Sequence, residues 1–186
     1  NDTARLETLR AAALSHRYSM EAFLLNFYKN YSCGDADFDA YGNAFYAALD
    51  ALRPHISEGE LIVGETIYDL SPEEERDWKD VYRAAWQAGC QAAGDGQDSH
   101  MAIDYDLLLR EGVSGIIARI DGYLRTCGEP QRAFYRCARR CLEGVLQHSR
   151  HYAEHAEALA NEASDPQRRS ELLEIASLCR RVPAQS

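Results

Sequence analysis

The sequence predicts a mainly α-helical protein whose residues 1–186 form a single domain. Apolar residues recur at intervals of three and four along most of the chain, which is the period of an amphipathic helix. Several of these runs begin at a capping residue or end at a glycine or proline. The exception is a short β-branched run near residues 60–64, bracketed by Gly59 and Gly64. There we expect an extended segment, too short to form a sheet alone.

Residues 1–55 predict three N-terminal helices. The first covers residues 3–15, the second follows a cap at Ser19, and the third begins at about Asp37 and is closed by Pro54. Aromatic residues recur along the inner faces of the second and third helices, and we interpret these stripes as core. They are Phe23, Phe27, Tyr28, Tyr31, Phe38, Tyr41 and Phe45.

The fourth helix has a strong start signal at Ser71. Its hydroxyl can accept from a free N–H group of the first turn, Pro72 suits the first helical position, and Glu74 can reach back. We expect its buried face to be formed by Trp78, Val81, Tyr82, Ala85 and Trp86.

Four further helices are predicted after residue 103. Asp104 can cap a short helix that Gly112 ends in a positive-φ conformation, and a second helix covers residues 114–126. The longest helix starts at Pro130. The last helix is capped by Asp165 and has Pro166 at its first position.

Composition excludes several classes of function. The 30 acidic residues against 20 Lys and Arg give a formal charge of -10, which repels nucleic acid and anionic membrane surfaces. No apolar run is long enough to cross a bilayer, and no secretory leader is recognisable, so we expect a cytoplasmic protein. The six cysteines include no Cys-x-x-Cys pair, and we expect reduced thiols rather than a disulfide framework or metal cluster.

Because the chain opens on Asn1 without an initiator Met, we expect a fragment or subunit of a larger chain.

Two clusters on the longest helix have ordinary structural explanations. His151 and His155 have the i, i+4 spacing of zinc ligands, with His148 one turn before, but a polar helix face rich in His and Glu is usually just solvated. Cys137 and Cys141 could form a vicinal dithiol, although core filling is the better interpretation. The sequence therefore predicts no metal or cofactor site in this segment.

The stretch from Gly96 to Tyr105 is the irregular segment that combines glycines, carboxylates and a histidine, as functional loops commonly do. His100 lies just before the cap at Asp104 and outside the helical registers. Its imidazole can hydrogen-bond a small polar ligand or the loop backbone.

Several short motifs, in their order, resemble the N-terminal region of glycyl radical enzymes, the pyruvate formate-lyase-like family. Residues 60–64 read Glu-Leu-Ile-Val-Gly, and Ser99-His100, Asp104-Tyr105 and Gly112 follow. Further pieces are Ala-Phe-Tyr at 133–135, Tyr-Ala-Glu at 152–154, Asp165-Pro166, and Cys-Arg-Arg-Val-Pro-Ala at 179–184. The resemblance covers about residues 56–184 and runs to the dehydratase and lyase members.

The resemblance implies a helical layer outside an α/β barrel, with His100 facing the substrate. It also implies partners: the C-terminal remainder of the enzyme, an S-adenosylmethionine-dependent radical activating enzyme, and a small-molecule substrate, with a homo-oligomer left open. The thiyl cysteine and radical glycine are expected in that remainder, not in residues 1–186. The sequence Arg-Ile-Asp-Gly-Tyr at 119–123 is similar to the family's radical-glycine motif, but it falls inside an amphipathic helix, and we interpret Gly122 as a packing glycine.

Two hypotheses follow. The chain is the N-terminal segment or split subunit of a glycyl radical lyase or dehydratase that is not catalytic alone. Alternatively, it is a stand-alone helical interaction or scaffold module derived from that family. A helical metal protein is a distant third.

Overall fold

A computed structural model describes residues 2–15, 20–32, 37–64, 70–90 and 103–185. Within these ranges the protein consists of seven helices joined by turns and irregular segments, and no strand occurs. The helices are α1 (Asp2–Ser15), α2 (Glu21–Asn30), α3 (Phe38–Ala51), α4 (Pro72–Gln87), α5 (Tyr105–Leu124), α6 (Gln131–Glu162) and α7 (Pro166–Arg181). The mainly α fold class is confirmed, and the segment at 60–64 is non-helical as expected.

Helix α6 is the centre of the arrangement. It packs against α3, α5 and α7, while α2 packs against α3 and α4. Small residues let α6 approach its neighbours closely: Ala156 and Ala160 are fully buried on α6, and Ala48 is fully buried on α3. Two apolar clusters result, one between α6, α7 and Ile56 and the other between α2 and α3.

The start signals read from the sequence are mostly confirmed. Ser71 and Glu74 form both hydrogen bonds of a capping box, Asp37 accepts from the first turn of α3, and Asp165 accepts from Gln167. The exception is α2, where Met20 occupies the cap position and makes no side-chain cap. Ser19 lies outside the described residues.

The predicted buried face of α4 is only partly correct. Ala85 is buried, but the Trp86 side chain is 55% exposed. Trp78, Tyr82 and Trp86 form a run of neighbouring rings along one side of the helix. Helix α4 packs on α2 alone among the described helices, so part of this aromatic stripe has no covering element there.

The cysteines also depart in one place from the expectation of reduced thiols. Cys127, Cys137, Cys141 and Cys179 are free. Cys90, which follows the end of α4, is disulfide-bonded, and its partner lies outside the described residues. No helix in the described part of the chain has the length and apolar character needed to cross a membrane.

Candidate functional site: an apolar groove beside the chain's last residues

The sequence-predicted ligand residue cannot be placed. His100 and Met101 lie outside the described residues, and the substrate-binding role of His100 stays a prediction. Its neighbour Asp104 is described, and its carboxylate accepts a hydrogen bond from the Leu107 backbone N–H at 3.0 Å. Asp104 therefore caps α5, as predicted.

Helix α5 is broken at Gly112, as the sequence predicts. Gly112 has φ 63° and ψ 173°, an extended conformation with positive φ that is essentially restricted to glycine. The break frees the N–H groups of the next turn, and these find partners in the residues after α7. Val113 N–H donates to the Pro183 carbonyl at 2.9 Å, and Ser114 N–H donates to the Ala184 carbonyl at 3.0 Å. The second half of α5 is thus capped by backbone carbonyls of residues 183 and 184, which follow α7.

The same residues after α7 are also held by α6. The Ser149 hydroxyl lies 2.5 Å from the Cys179 carbonyl oxygen and 2.8 Å from the Val182 carbonyl oxygen, and donates to the end of α7. We call residues 182–184 the tail. Because the tail is bonded to both α5 and α6, its position relative to those helices is fixed.

A groove of about 470 Å³ opens beside the tail. Its walls come from the irregular segment after Ile56, the middle of α6, and the end of α7 with the tail. They consist of Leu61, Ile62, Val63, Gly64, Val145, His148, Ser149, Tyr152, Ile175, Leu178, Cys179, Val182 and Pro183. None of these residues carries a carboxylate, guanidinium or ammonium group.

Large apolar side chains around the groove are exposed to solvent. Ile62 is 88% exposed, and Leu61 and Val182 are about half exposed. Soluble proteins that expose such a contiguous apolar patch commonly bind another surface there. This arrangement suits a packing partner better than a small polar molecule, which would need several converging polar groups.

The titratable groups in the groove favour their neutral forms. Burial lowers the pKa of His148, and the nearby His151 works in the same direction. Burial raises the pKa of the Cys179 thiol. The His148 ring meets the Tyr152 ring edge-on at 5.2 Å. With a protonated thiol and a neutral imidazole, the groove offers no activated nucleophile.

A buried polar network fixes the segment that leads into the groove. Glu60 is 5% exposed and accepts from the Ser57 N–H at 2.7 Å. From α7, Arg168 donates to the Glu60 carbonyl at 2.7 Å and to the Ser57 carbonyl at 3.2 Å. The Glu171 carboxylate accepts hydrogen bonds from the guanidinium groups of Arg168, at 3.3 Å, and of Arg5 in α1, at 2.5 Å. Glu60 is thus an anchor for residues 61–64 rather than a catalytic carboxylate.

The histidines of α6 do not assemble a metal site in the described part of the chain, where no group of three or more potential ligands comes together. The imidazole of His151 lies 3.5 Å from the Asp50 carboxylate and 3.0 Å from the Gln147 amide nitrogen. His155 is half-buried, and its pKa is lowered by burial and by His55.

Cys137 and Cys141 pack as small hydrophobes. Burial raises the pKa of Cys141 to about 12, with a further contribution from the neighbouring Cys137, whose own pKa is raised by burial. Thiols with raised pKa values are poor nucleophiles and poor metal ligands, so core filling is the appropriate interpretation.

The sequence at 119–123 is helical and belongs to α5. Asp121 pairs with Arg139 of α6 at 2.8 Å, and the Tyr123 ring stacks on Tyr135 at 5.2 Å. The predicted reason for Gly122 is wrong, however. A Cβ atom there would meet only the Arg125 guanidinium, at 3.7 Å, so close packing does not require this glycine.

Several of the motifs that carry the family resemblance meet at the groove. The groove is lined by residues 61–64, Tyr152, Cys179, Val182 and Pro183, and the tail docks directly after Gly112. A family model described as pyruvate formate lyase-like matches residues 63–186, which is most of the chain.

Solved structures show the same fold. The glycerol-bound B12-independent glycerol dehydratase from Clostridium butyricum matches 98% of this chain with a TM-score of 0.76 and 20% identity. The hydroxyproline dehydratase from Clostridioides difficile, with trans-4-hydroxy-L-proline bound, matches 97% with a TM-score of 0.71 and 16% identity. A Roseburia inulinivorans structure concerned with 1,2-propanediol dehydration matches 88% with a TM-score of 0.73 and 18% identity.

The chain spans 27% to 31% of the length of these three structures. The family match and the shared fold agree with the resemblance read from the motifs. The chain belongs to the pyruvate formate lyase-like family.

Proposed function

We propose that this chain is the N-terminal segment or split subunit of a glycyl radical lyase or dehydratase, and that it is not catalytic alone. The observation that carries the proposal is the match of nearly the whole chain to less than a third of a glycerol dehydratase. Such a match is expected for one structural part of a larger enzyme. The reaction we propose is cleavage of a C–O, C–N or C–C bond in a small polar substrate, in the cytoplasm.

The chemistry divides between this chain and the remainder of the enzyme. The remainder would hold the thiyl cysteine and the radical glycine, which supply hydrogen abstraction once an S-adenosylmethionine-dependent activating enzyme has acted. This chain would supply scaffold and one polar contact, in which His100 hydrogen-bonds the departing group or its neighbour. We do not assign that role to Asp104, because its carboxylate caps α5.

The role of His100 is tested by substitution in the complete activated enzyme. We expect His100→Ala to lower turnover by about 100-fold or more, because a positioned acid–base or hydrogen-bonding group contributes about that much. His151→Ala is the matched control, because the His151 imidazole on α6 lies 3.5 Å from the Asp50 carboxylate of α3. We expect this variant to keep turnover within about twofold. Near-normal turnover of the His100 variant would remove the residue from the site.

A stand-alone helical interaction module is the second candidate, and the exposed apolar groove favours it. The two candidates differ in what is encoded with this chain. A polypeptide bearing the cysteine and the radical glycine, joined to this chain or encoded beside it, supports the enzyme. If no such polypeptide exists, the module is the better description.

A further inference from the structure

The groove beside the tail is the part of the described surface whose chemistry most clearly calls for a partner. We infer that it is the docking surface for the radical-bearing remainder of the enzyme, and that an uncharged apolar segment of that remainder fills it. The inference rests on the proposed function, because it takes its partner from there.

Exposure and lining composition identify the kind of occupant. Ile62 is 88% exposed, Val182 is 50% exposed and Leu61 is 49% exposed, and no charged residue lines the groove. The Ser149 hydroxyl is already engaged by the Cys179 and Val182 carbonyls. A ligand in the groove would therefore find apolar contact area and few free polar groups, which favours an apolar protein segment.

The net charge of the chain favours a different protein segment, rather than a second copy of this chain, as the occupant of the groove. Two copies, each carrying a formal charge of -10, repel one another over most of their surfaces. The groove is lined by uncharged residues, so it contributes no opposite charge to offset that repulsion. A different partner is suggested by the relatives of known structure. More than two thirds of each relative lies outside the region matched by this chain, and the corresponding part of the enzyme is available to fill the groove.

The groove is fixed before any partner arrives. Ser149 holds the end of α7, Val113 and Ser114 hold the tail, and Arg168 with Glu60 holds the segment that leads to Leu61. A surface fixed in this way loses little conformational entropy on binding, which is a property of effective docking sites.

Site-specific photo-crosslinking tests the inference. A photoreactive amino acid replaces Ile62 in one sample and Leu6 in the other, because Leu6 is also exposed, at 65%, but lies on α1 outside the groove. Each chain is produced with the radical-bearing part, joined or separate as the natural genes encode it, and the crosslinks are mapped by mass spectrometry. We expect crosslinks from position 62 to the radical-bearing part and none from position 6.

Other results overturn specific statements. If the radical-bearing part does not exist or does not associate with the chain, the proposed function fails, and the inference fails with it. If the two parts associate but position 62 gives no crosslink to the radical-bearing part, or links two copies of this chain, the inference alone is overturned.

A substitution provides a second measurement. Because Ile62 is so exposed, Ile62→Asp should leave the fold and its helical circular dichroism unchanged. We expect Ile62→Asp to lower the affinity for the radical-bearing part at least tenfold. Leu6→Asp should change that affinity less than twofold. Equal affinities for the two variants would contradict the inference.

Discussion

Gly144 of α6 lies directly against the backbone of Tyr46 in α3. A Cβ atom on Gly144 would be 3.1 Å from the Tyr46 Cα atom, closer than nine in ten real Cβ contacts. Gly42 makes the reciprocal approach, since a Cβ atom there would be 3.1 Å from the Cα atom of Cys137. These two glycines set the distance between the central helix and α3.

We predict opposite effects for two glycine-to-alanine substitutions. Gly144→Ala should lower the free energy of unfolding by about 1–3 kcal/mol, because backbone atoms of α3 must move to admit the methyl group. Gly122→Ala should raise it by about 0.5–1 kcal/mol, because that site has room and alanine is the better helix former. Urea denaturation of both variants is the measurement. Stabilisation by Gly144→Ala would contradict the described crossing of α3 and α6.

Substitution of Gly112 should detach the tail. A Cβ atom there would lie 2.5 Å from the Ala184 carbonyl oxygen, and the φ of 63° is itself unfavourable for alanine. We expect faster hydrogen–deuterium exchange at the Val113 and Ser114 amides in Gly112→Ala. Gly89→Ala is the matched control, because Gly89 has φ 79° but open space around it. Unchanged exchange at both amides would show that the tail does not depend on Gly112.

Arg168 should contribute more to stability than an exposed arginine. Its guanidinium reaches the Glu60 and Ser57 carbonyls, and its side chain is only 16% exposed. We predict that Arg168→Ala lowers the free energy of unfolding by about 1–3 kcal/mol, because it removes the two hydrogen bonds that the guanidinium donates to the carbonyls of buried Glu60 and Ser57. Arg83→Ala removes an ion pair in which the Arg83 side chain is 66% exposed and the Asp80 side chain is 79% exposed. This variant should change the free energy of unfolding by less than about 0.5 kcal/mol. Equal losses in thermal and urea melts would refute this difference.

Stability should fall as the pH is lowered from about 7.5 to 5.5. Burial lowers the pKa values of His148 and His155 below their ordinary value of 6.5. The unfolded chain therefore takes up protons first as pH falls through 6.5, which favours unfolding. Glu171 acts only at lower pH, because its hydrogen bond from Arg5 keeps its pKa below the ordinary 4.5.

The urea midpoint measured across that range checks the histidine effect. We expect His148→Gln to flatten the dependence on pH, whatever it does to stability at pH 8. A slope equal to that of the unsubstituted protein would show that His148 does not carry the effect.

Local signals explain why much of the fold could be predicted. The capping box at Ser71, the caps at Asp104 and Asp165, and the break at Gly112 each depend on a few neighbouring residues, and each is found in the structure. Periodicity was less reliable about burial. It assigned Trp86 to a face of α4, but it carries no information on whether another element covers that face.

The groove could not be predicted because its parts are distant in sequence. Residues 61–64 and the end of α7 are separated by more than 100 residues, and neither segment alone has a recognisable site pattern. Ser149, which ties the two helices together, lies among polar residues of α6 with no signal that marks it. The family resemblance named most of the segments concerned, but only the fold shows that they meet.

Turnover by the activated enzyme, measured with and without this chain, tests whether the chain is a necessary part of that enzyme. Under anaerobic conditions, the radical-bearing part is activated and supplied with small diols and hydroxylated amino acids, and product is measured. We expect product only when residues 1–186 are present. Full turnover by the radical-bearing part alone would contradict the claim that this chain is a necessary segment of the enzyme.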